Sequence, residues 1–175
     1  MQRIAIIGCC GAGKSTLANH LGARLGLPVI HLDYHYWQPG WIETPTEKWI
    51  EKQQYLVNSD RWIIDGNYLS TMDIRLQAAD TIILLDFSRF LCLWRIFRRY
   101  LQYYSPDKEL VRPDMADGCA ERLSWDFLLY VWNFAHHQRQ HVLSKLELYQ
   151  HDRKVTILKN PQQVDSFLSE LNPLA

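Results

Sequence analysis

Short runs of almost continuously apolar residues alternate along the chain with segments in which apolar residues recur every three or four positions. Apolar residues at successive positions are typical of strands that are covered on both faces. Five such runs predict β-strands: RIAIIG (3–8), PVIHLD (28–33), RWIIDG (61–66), TIILLD (81–86) and KVTIL (154–158). The other segments predict helices at about 17–25, 46–58, 70–77, 88–104, 119–149 and 161–171. This alternation predicts a single doubly wound α/β domain over 1–175, with a parallel sheet whose ligands bind beyond the carboxyl ends of its strands.

The first run ends in GCCGAGKS, which fits the pattern G-x-x-x-x-G-K-[ST] from Gly8 to Ser15. Glycines allow the backbone amides of such a turn to point at an anion, and the N-terminus of the following helix adds a favourable dipole. The lysine of this motif reaches the β- and γ-phosphates, and the hydroxyl residue binds Mg²⁺. We therefore predict ATP binding by Gly8, Gly11, Ala12, Gly13, Lys14, Ser15 and Thr16, with Lys14 also catalytic.

Three of the predicted strands end in an aspartate that could bind Mg²⁺ together with Ser15: Asp33, Asp65 and Asp86. Asp65 is the best candidate, because it closes an apolar run and Gly66 allows a close approach. Asp86 has an alternative role as the cap of the helix near residue 88. Asp33 is followed by a dense group of aromatic residues, which suggests a different use.

Composition excludes several classes of protein. The 19 lysines and arginines balance 19 aspartates and glutamates, so no net charge attracts the chain to nucleic acid or to a membrane surface. Without a basic stripe or a helix-turn-helix pattern, direct nucleic-acid binding is not expected. The 4 cysteines lack zinc or disulfide spacing, and the longest apolar stretch, FLLYVWNFA, is too short to span a bilayer. The chain begins directly with a strand, leaving no room for a signal peptide, so we expect a cytoplasmic protein.

Several motifs together resemble the bacterial topology modulation (FlaR-related) proteins, which are relatives of adenylate kinase among the P-loop NTPases. These motifs are the P-loop, HLD (31–33), WIIDGNY (62–68), ADTIILLD (79–86) and RPDMADGCAER (112–122). The resemblance implies a three-layer nucleoside-monophosphate-kinase-like fold, with a five-stranded parallel sheet of order 2-3-1-4-5 and a helical lid at about 105–122. That order places the strand of Asp65 beside the P-loop strand, which favours Asp65 as the Mg²⁺ ligand. In related kinases the loop after the last strand borders the adenine, so Asn160 is a candidate contact there.

Arginine is concentrated near the predicted lid: seven of the 12 arginines lie between Arg75 and Arg122. The helix at 88–104 has an aromatic stripe that we expect to be packed, formed by Phe90, Trp94, Phe97, Leu101 and Tyr104. Its other face carries Arg95, Arg98 and Arg99. We predict that Arg95 and Arg99 are catalytic phosphate-binding residues and that Arg98, Arg112 and Arg122 belong to the lid, because guanidinium groups bind phosphate oxygens bidentately. The alternatives are a solvated face or pairing with a distant acid such as Asp114, Asp117 or Glu121.

The segment HLDYHYWQPGW (31–41) occupies the acceptor position of this fold. In adenylate kinase, arginines on the helix after the second strand and just after the third strand hold the acceptor phosphate. Here the basic residues of that helix are lysines, and the NYLS that follows Asp65-Gly66 contains no arginine. We therefore expect an acceptor other than AMP. We predict an acceptor site of Asp33, Tyr34, Trp37, Trp41, Asn67 and Arg75. In this site Asp33 is catalytic, because it orients the acceptor hydroxyl and accepts its proton.

A second interpretation of the same segment is packing, with Trp37 and Trp41 folding back onto Trp49 and Tyr55 of the helix at 46–58. For the whole chain the sequence favours a Mg·ATP-dependent kinase that phosphorylates a nucleotide-like or other small hydroxyl compound. The alternative is a non-catalytic or slowly hydrolysing nucleotide-binding regulator of DNA topology.

Overall fold

The structure, a computed structural model, describes residues 1–105 and 112–171. Its first elements are β1 (Arg3–Gly8), α1 (Lys14–Leu25), β2 (Val29–His31), α2 (Leu32–Tyr36), β3 (Trp37–Gln38), β4 (Ile42–Glu43), α3 (Thr46–Val57) and β5 (Trp62–Asp65). The others are α4 (Met72–Ala78), β6 (Thr81–Leu85), α5 (Arg89–Tyr103), α6 (Trp125–Asn133), α7 (Arg139–Tyr149), β7 (Lys154–Leu158) and α8 (Pro161–Glu170). A 3₁₀ turn at Leu69–Thr71 precedes α4, and a π-helical turn at Phe134–Gln138 joins α6 to α7.

Five of the strands form one parallel sheet in the order β2-β5-β1-β6-β7. Counted over these strands alone, this is the predicted order 2-3-1-4-5; the small antiparallel β3–β4 pair lies outside the sheet. The predicted fold class, with a P-loop strand at the centre and the Asp65 strand beside it, is therefore confirmed.

The sheet is covered on both faces, which explains the continuous apolar runs. In β1, Ile4 and Ile6 belong to one buried cluster, together with residues of α1, α5, α6 and α8. Ala5 and Ile7 belong to a second cluster on the opposite face, with residues of α3, α4 and α7. Every side chain from Ile4 to Ile7 is fully buried, as the alternation of side chains across a sheet between two helical layers requires.

Three predicted elements differ from the structure. The second strand ends at His31, so Asp33 lies in the first turn of α2 and not at a strand end. The predicted helix at 119–149 does not begin until Trp125, where Ser124 caps it by accepting a hydrogen bond from the Phe127 amide at 3.2 Å. Within the predicted lid, residues 106–111 lie outside the described part of the chain.

The orientation of α5 is the reverse of the prediction. Its aromatic stripe, which we expected to be packed, is exposed: Phe90 is 66% exposed, Trp94 59% and Phe97 46%. The buried face instead holds Cys92 and Ile96. The reason is close packing against the P-loop, since a Cβ atom added to Gly11 would lie 2.5 Å from the carbonyl oxygen of Cys92. The side chains of Cys92 and Ile96 leave room for this approach, whereas bulkier aromatic rings would not.

Candidate functional site

The turn between β1 and α1 has the backbone conformation that an anion-binding loop needs. Gly11 and Gly13 have φ angles of +79° and +96°, in the region that favours glycine. Gly13 directly precedes α1, with no side chain capping the first amides of the helix. These amides are therefore left to bind a ligand at the helix N-terminus, as in phosphate-binding loops.

Lys14 lies among acidic groups beside this loop. Its ammonium donates a hydrogen bond to the carbonyl oxygen of Cys9 at 3.1 Å. Burial lowers the pKa of Lys14, but the nearby groups, including the carboxylates of Asp33 and Asp65, raise it by more, so that the lysine stays charged. The structure thus places two of the predicted site aspartates near the P-loop lysine.

Asp65 closes β5 and is 3% exposed. Its Oδ1 atom lies 3.0 Å from Nδ1 of His31, whereas its buried Oδ2 atom has no hydrogen-bond partner among the described residues. A buried carboxylate oxygen without a donor is costly, unless a cation or water occupies the space beside it. Asp65 and the half-buried Ser15 of the P-loop therefore fit Mg²⁺, which takes few protein oxygens together with phosphate oxygens.

His31 was not among the residues selected from the sequence. Its other ring nitrogen, Nε2, lies 3.2 Å from Oδ1 of Asn19 on α1, so both nitrogens face oxygen atoms. Burial lowers the pKa of His31, but the hydrogen bond and the charge of Asp65 raise it by more. The sequence shows only a histidine near the end of a predicted strand; its alignment with Asp65 comes from the parallel register of β2 and β5 in the structure.

Asp33 is held by a residue from the segment after β5. The hydroxyl group of Tyr68 donates a hydrogen bond to Oδ1 of Asp33 at 2.7 Å. Burial raises the pKa of Asp33 above its usual range, although Lys14 and the Tyr68 hydrogen bond act in the opposite direction. Burial and the neighbouring carboxylate raise the pKa of Tyr68 as well, so its hydroxyl remains a neutral donor.

The aromatic residues after Asp33 pack, but with other partners than the packing interpretation predicts. Tyr36 packs on Trp49 and Tyr68, with ring centroids 5.0 Å and 4.6 Å apart, and Trp37 packs edge-on against Trp41 at 5.2 Å. Trp37 and Trp41 therefore pack on each other, and it is Tyr36 that reaches α3. Tyr34 is 50% exposed and lines a cavity of about 240 Å³ with His31, His35 and Pro113.

The β3–β4 hairpin is attached to the described part of the lid. The amide of Gly40 donates to the carbonyl oxygen of Gly118 at 3.1 Å, and Nε1 of Trp41 donates to that of Ala120 at 2.9 Å. The guanidinium group of Arg122 lies 4.8 Å from the centre of the Trp41 ring. The predicted acceptor loop and the predicted lid therefore contact each other directly.

The predicted phosphate-binding arginines have different surroundings. Arg95 donates from Nη1 to the carbonyl oxygen of Ala12 at 2.8 Å, at the edge of the P-loop. Arg99 is paired with the buried Glu121, to which it donates from Nε at 3.0 Å and from Nη2 at 2.7 Å. Arg112 donates to the second oxygen of Glu121 at 2.7 Å and also pairs with Asp114. Pairing with Glu121, one of the alternatives from the sequence, therefore applies to Arg99, whereas Arg98 is exposed.

Two predicted acceptor residues are buried. Arg75 is 0% exposed and donates to the side chain of Gln53 and the carbonyl oxygen of Gly66, both at 3.1 Å. The prediction that Arg75 contacts the acceptor is therefore wrong: this arginine supports the turn after Asp65. Asn67 is 7% exposed and contacts the Tyr130 hydroxyl at 3.5 Å, while its Oδ1 atom has no partner among the described residues.

Asp86 does not cap α5. The cap is Ser88, which accepts a hydrogen bond from the Leu91 amide, and Asp86 pairs with Arg139 through two contacts of 2.7 Å. Asp86, Ser88 and Lys159 line a cavity of about 420 Å³ where β6 and β7 end. Next to it, Asn160 caps α8 by accepting a hydrogen bond from the Gln163 amide at 2.9 Å.

The geometry agrees with the fold of known small-molecule kinases. A sugar kinase from Janibacter sp. HTCC2649 is similar over 99% of this chain and 96% of its own, with a TM-score of 0.51 and 17% identity. A gluconokinase from Sinorhizobium meliloti 1021 is similar over 97% and 89%, with a TM-score of 0.54 and 13% identity. A shikimate kinase from Acinetobacter baumannii, in complex with shikimate, is similar over 98% and 90%, with a TM-score of 0.55 and 17% identity.

At these identities the similarity shows the fold alone, which is that of P-loop kinases. No protein-family model matches the chain, and no curated protein matches it. Among residues 1–105 and 112–171, no helix is long and apolar enough to cross a membrane. The same residues contain no group of three or more metal-binding His, Cys, Asp or Glu side chains.

Proposed function

We propose that this protein is a Mg·ATP-dependent phosphotransferase that transfers the γ-phosphate to a hydroxyl group of a small molecule. The observation that carries the proposal is the position of Asp33: a half-buried carboxylate, oriented by Tyr68, near the ammonium group of the P-loop lysine. A P-loop alone would serve ATP hydrolysis equally well. A carboxylate beside it supplies what transfer to an alcohol needs, namely a group that orients the nucleophile and accepts its proton.

ATP would bind with its phosphates in the cradle of residues 8–16 and with its adenine near Asn160. Lys14 would exchange its hydrogen bond to Cys9 for the β- and γ-phosphates, since a charged phosphate is the stronger acceptor. Arg95 is placed at the edge of the P-loop by its bond to Ala12, where it would compensate charge on the phosphates. Mg²⁺, held by Ser15 and Asp65, would supply further charge neutralisation of the phosphates.

The acceptor would lie on the side of Asp33 and the hairpin. Among the described residues Asp33 accepts one hydrogen bond, on Oδ1, so Oδ2 is left for the acceptor hydroxyl. Tyr34, Trp37 and Trp41 offer ring surfaces, and Asn67 offers an amide, to the body of the acceptor. Because the similar structures include sugar, gluconate and shikimate kinases, polyhydroxylated compounds should be tested alongside nucleotides.

The lid arginines would act when the substrates are bound. Arg99 and Arg112 share Glu121, a carboxylate that an incoming phosphate would replace as their partner. Arg98 and Arg122 are exposed, and closure of the lid would bring them toward the substrates and exclude water from the transferred phosphoryl group. None of the three similar structures named above is a topology modulation protein, and an action on DNA topology forms no part of this proposal.

The test is transfer of labelled γ-phosphate from Mg·ATP to a panel of sugars, sugar acids, nucleosides and nucleotides, with wild type and Asp33→Asn. The substitution keeps the shape of the side chain and removes its charge. We expect transfer to fall by roughly 10²-fold or more, with ATP affinity unchanged within a few-fold. Asp126→Asn, an exposed aspartate on α6, is the matched control and should keep full activity.

Three results would contradict the proposal. Calorimetry that shows no Mg·ATP or Mg·ADP binding would remove its basis. Binding without transfer to any compound of the panel would favour a nucleotide-binding regulator. Equal transfer by wild type and Asp33→Asn would exclude this carboxylate from the mechanism.

A further inference from the structure

The outer surface of α5 and α6 is an apolar face that no described residue covers. It consists of Phe90, Trp94, Phe97 and Leu101 on α5 with Trp125 and Trp132 on α6, and we call it the outer face. The two helices pack side by side, with the rings of Phe90 and Trp132 5.6 Å apart at an interplanar angle of 90°. The six side chains thus form one continuous surface.

The size of the outer face is that of a protein interface. With a full aromatic side chain at roughly 200 Å², the exposed fractions, 38% for Trp132 to 76% for Trp125, leave about 600–700 Å² of apolar surface. The largest apolar patch of a typical monomer is about 300–600 Å². A stable interface buries about 800 Å² on each partner, of which only about 55–60% is apolar. The outer face therefore contains enough apolar area for one half of such an interface.

The charges around the outer face fit a protein partner better than a membrane. Arg95 and Arg99 are turned inward to Ala12 and Glu121, and the guanidinium group of Arg89 lies 4.2 Å from the centre of the Trp132 ring. Binding to an anionic membrane surface uses clusters of about 4–8 basic side chains. Among the described residues of α5 and α6, the exposed charged side chains are instead Arg98 and Asp126, which have opposite signs.

We propose that the outer face is the interface of a homodimer, in which α5 and α6 of two copies pack against each other around a two-fold axis. A two-fold interface uses the same patch on both copies, and a pair of adjacent helices rich in tryptophan and phenylalanine is suited to this arrangement. The opposite charges of Arg98 and Asp126 let a second copy approach without net repulsion. This inference stands independently of the proposed function.

The dimer would also fix the helix that supports the P-loop. The inner face of α5 contacts Ala12 through Arg95 and approaches Gly11 closely through the backbone of Cys92. A second copy on the outer face would therefore hold α5 from the other side.

The test is the molar mass in solution, measured by light scattering and sedimentation velocity over a range of concentrations. Wild type should have twice the chain mass of 20.7 kDa, and its melting temperature should rise with protein concentration. Trp94→Glu and Trp125→Glu should weaken the dimer by at least about 30-fold, the loss typical of a central aromatic residue in an interface. Because both side chains are exposed, neither substitution should alter the circular dichroism of the monomer.

Tyr55→Glu on α3 and Leu148→Glu on α7 are the matched controls, since these side chains are 77% and 74% exposed but lie on other helices. Both should remain dimeric. A monomeric wild type at 100-µM-range concentrations would overturn the proposal. A dimer that survives both tryptophan substitutions would assign the interface to another surface. Co-sedimentation of a monomeric wild type with phosphatidylserine vesicles would assign the outer face to a membrane.

Discussion

The pairing of Arg99 with Glu121 makes a quantitative prediction, because it gives a residue selected for phosphate binding a structural role when no nucleotide is bound. The side chain of Glu121 is 3% exposed and that of Arg99 29%. Arg99 supplies two N–H donors to Oε1, and Arg112 supplies one to Oε2. Arg99→Ala would therefore leave Oε1 of a buried carboxylate without a donor from the described residues.

The expected cost follows from this geometry. Removing one partner of a fully buried ion pair costs about 3–5 kcal/mol, and a hydrogen bond to a charged group contributes about 1.5–3 kcal/mol. Water can reach the partly exposed Arg99 position, and Arg112 still holds the second oxygen. We therefore expect Arg99→Ala to lower the free energy of unfolding by about 2–3 kcal/mol. For a chain of this length that corresponds to a fall in melting temperature of roughly 5–10 °C.

The assay is thermal and urea unfolding without nucleotide, at one protein concentration. Arg98→Ala is the control, because Arg98 is next to Arg99 in the sequence but its side chain is exposed. The free energy of unfolding of this variant should stay within about 0.5 kcal/mol of wild type. A double-mutant cycle with Glu121→Gln should give a coupling energy of about 1–3 kcal/mol. Equal melting temperatures for Arg99→Ala and Arg98→Ala would refute the reasoning and return Arg99 to a purely ligand-binding role.

Four further predictions concern the proposed site. Lys14→Ala should abolish transfer and strongly weaken ATP binding in calorimetry, because it removes the positive charge from the β- and γ-phosphates; undiminished affinity would contradict this. Burial raises the pKa of Asp33 and the Tyr68 hydrogen bond lowers it, so activity should fall as the pH drops through this raised pKa. Tyr68→Phe should move that acidic limb of kcat/KM to higher pH, and an unmoved limb would exclude this pair. Arg75→Ala should cost about 3 kcal/mol or more in urea unfolding, since it opens a cavity and leaves buried acceptors unpaired; a near-neutral result would show that the site relaxes. Trp41→Ala should speed hydrogen exchange at amides 113–122 relative to those of the sheet, whereas uniform exchange would show that the hairpin does not hold the lid.

Local patterns were sufficient for much of the fold. The apolar runs located all five strands of the sheet, and the G-x-x-x-x-G-K-S spacing located the phosphate loop, because each depends on residues that are neighbours in sequence. The cap of α8 is equally local, because Asn160 accepts a hydrogen bond from the Gln163 amide and the Gln163 side chain accepts one from the Lys159 amide.

The tertiary structure decided the features that depend on residues far apart in the chain. The His31–Asp65 pair exists because β2 and β5 run in parallel with these residues in register. Glu121 became the partner of Arg99 because the segment before α6 folds back over α5.

The orientation of α5 shows the physical reason for this division. Both faces of its sequence carry nonpolar residues at helical spacing, so periodicity alone cannot say which face is buried. The close approach of the P-loop selected the face of Cys92 and Ile96, since the bulkier aromatic rings of the other face do not fit against Gly11. Sequence patterns indicate which residues could be buried. Steric fit between segments that are distant in the chain decides which of these residues are buried in the folded protein.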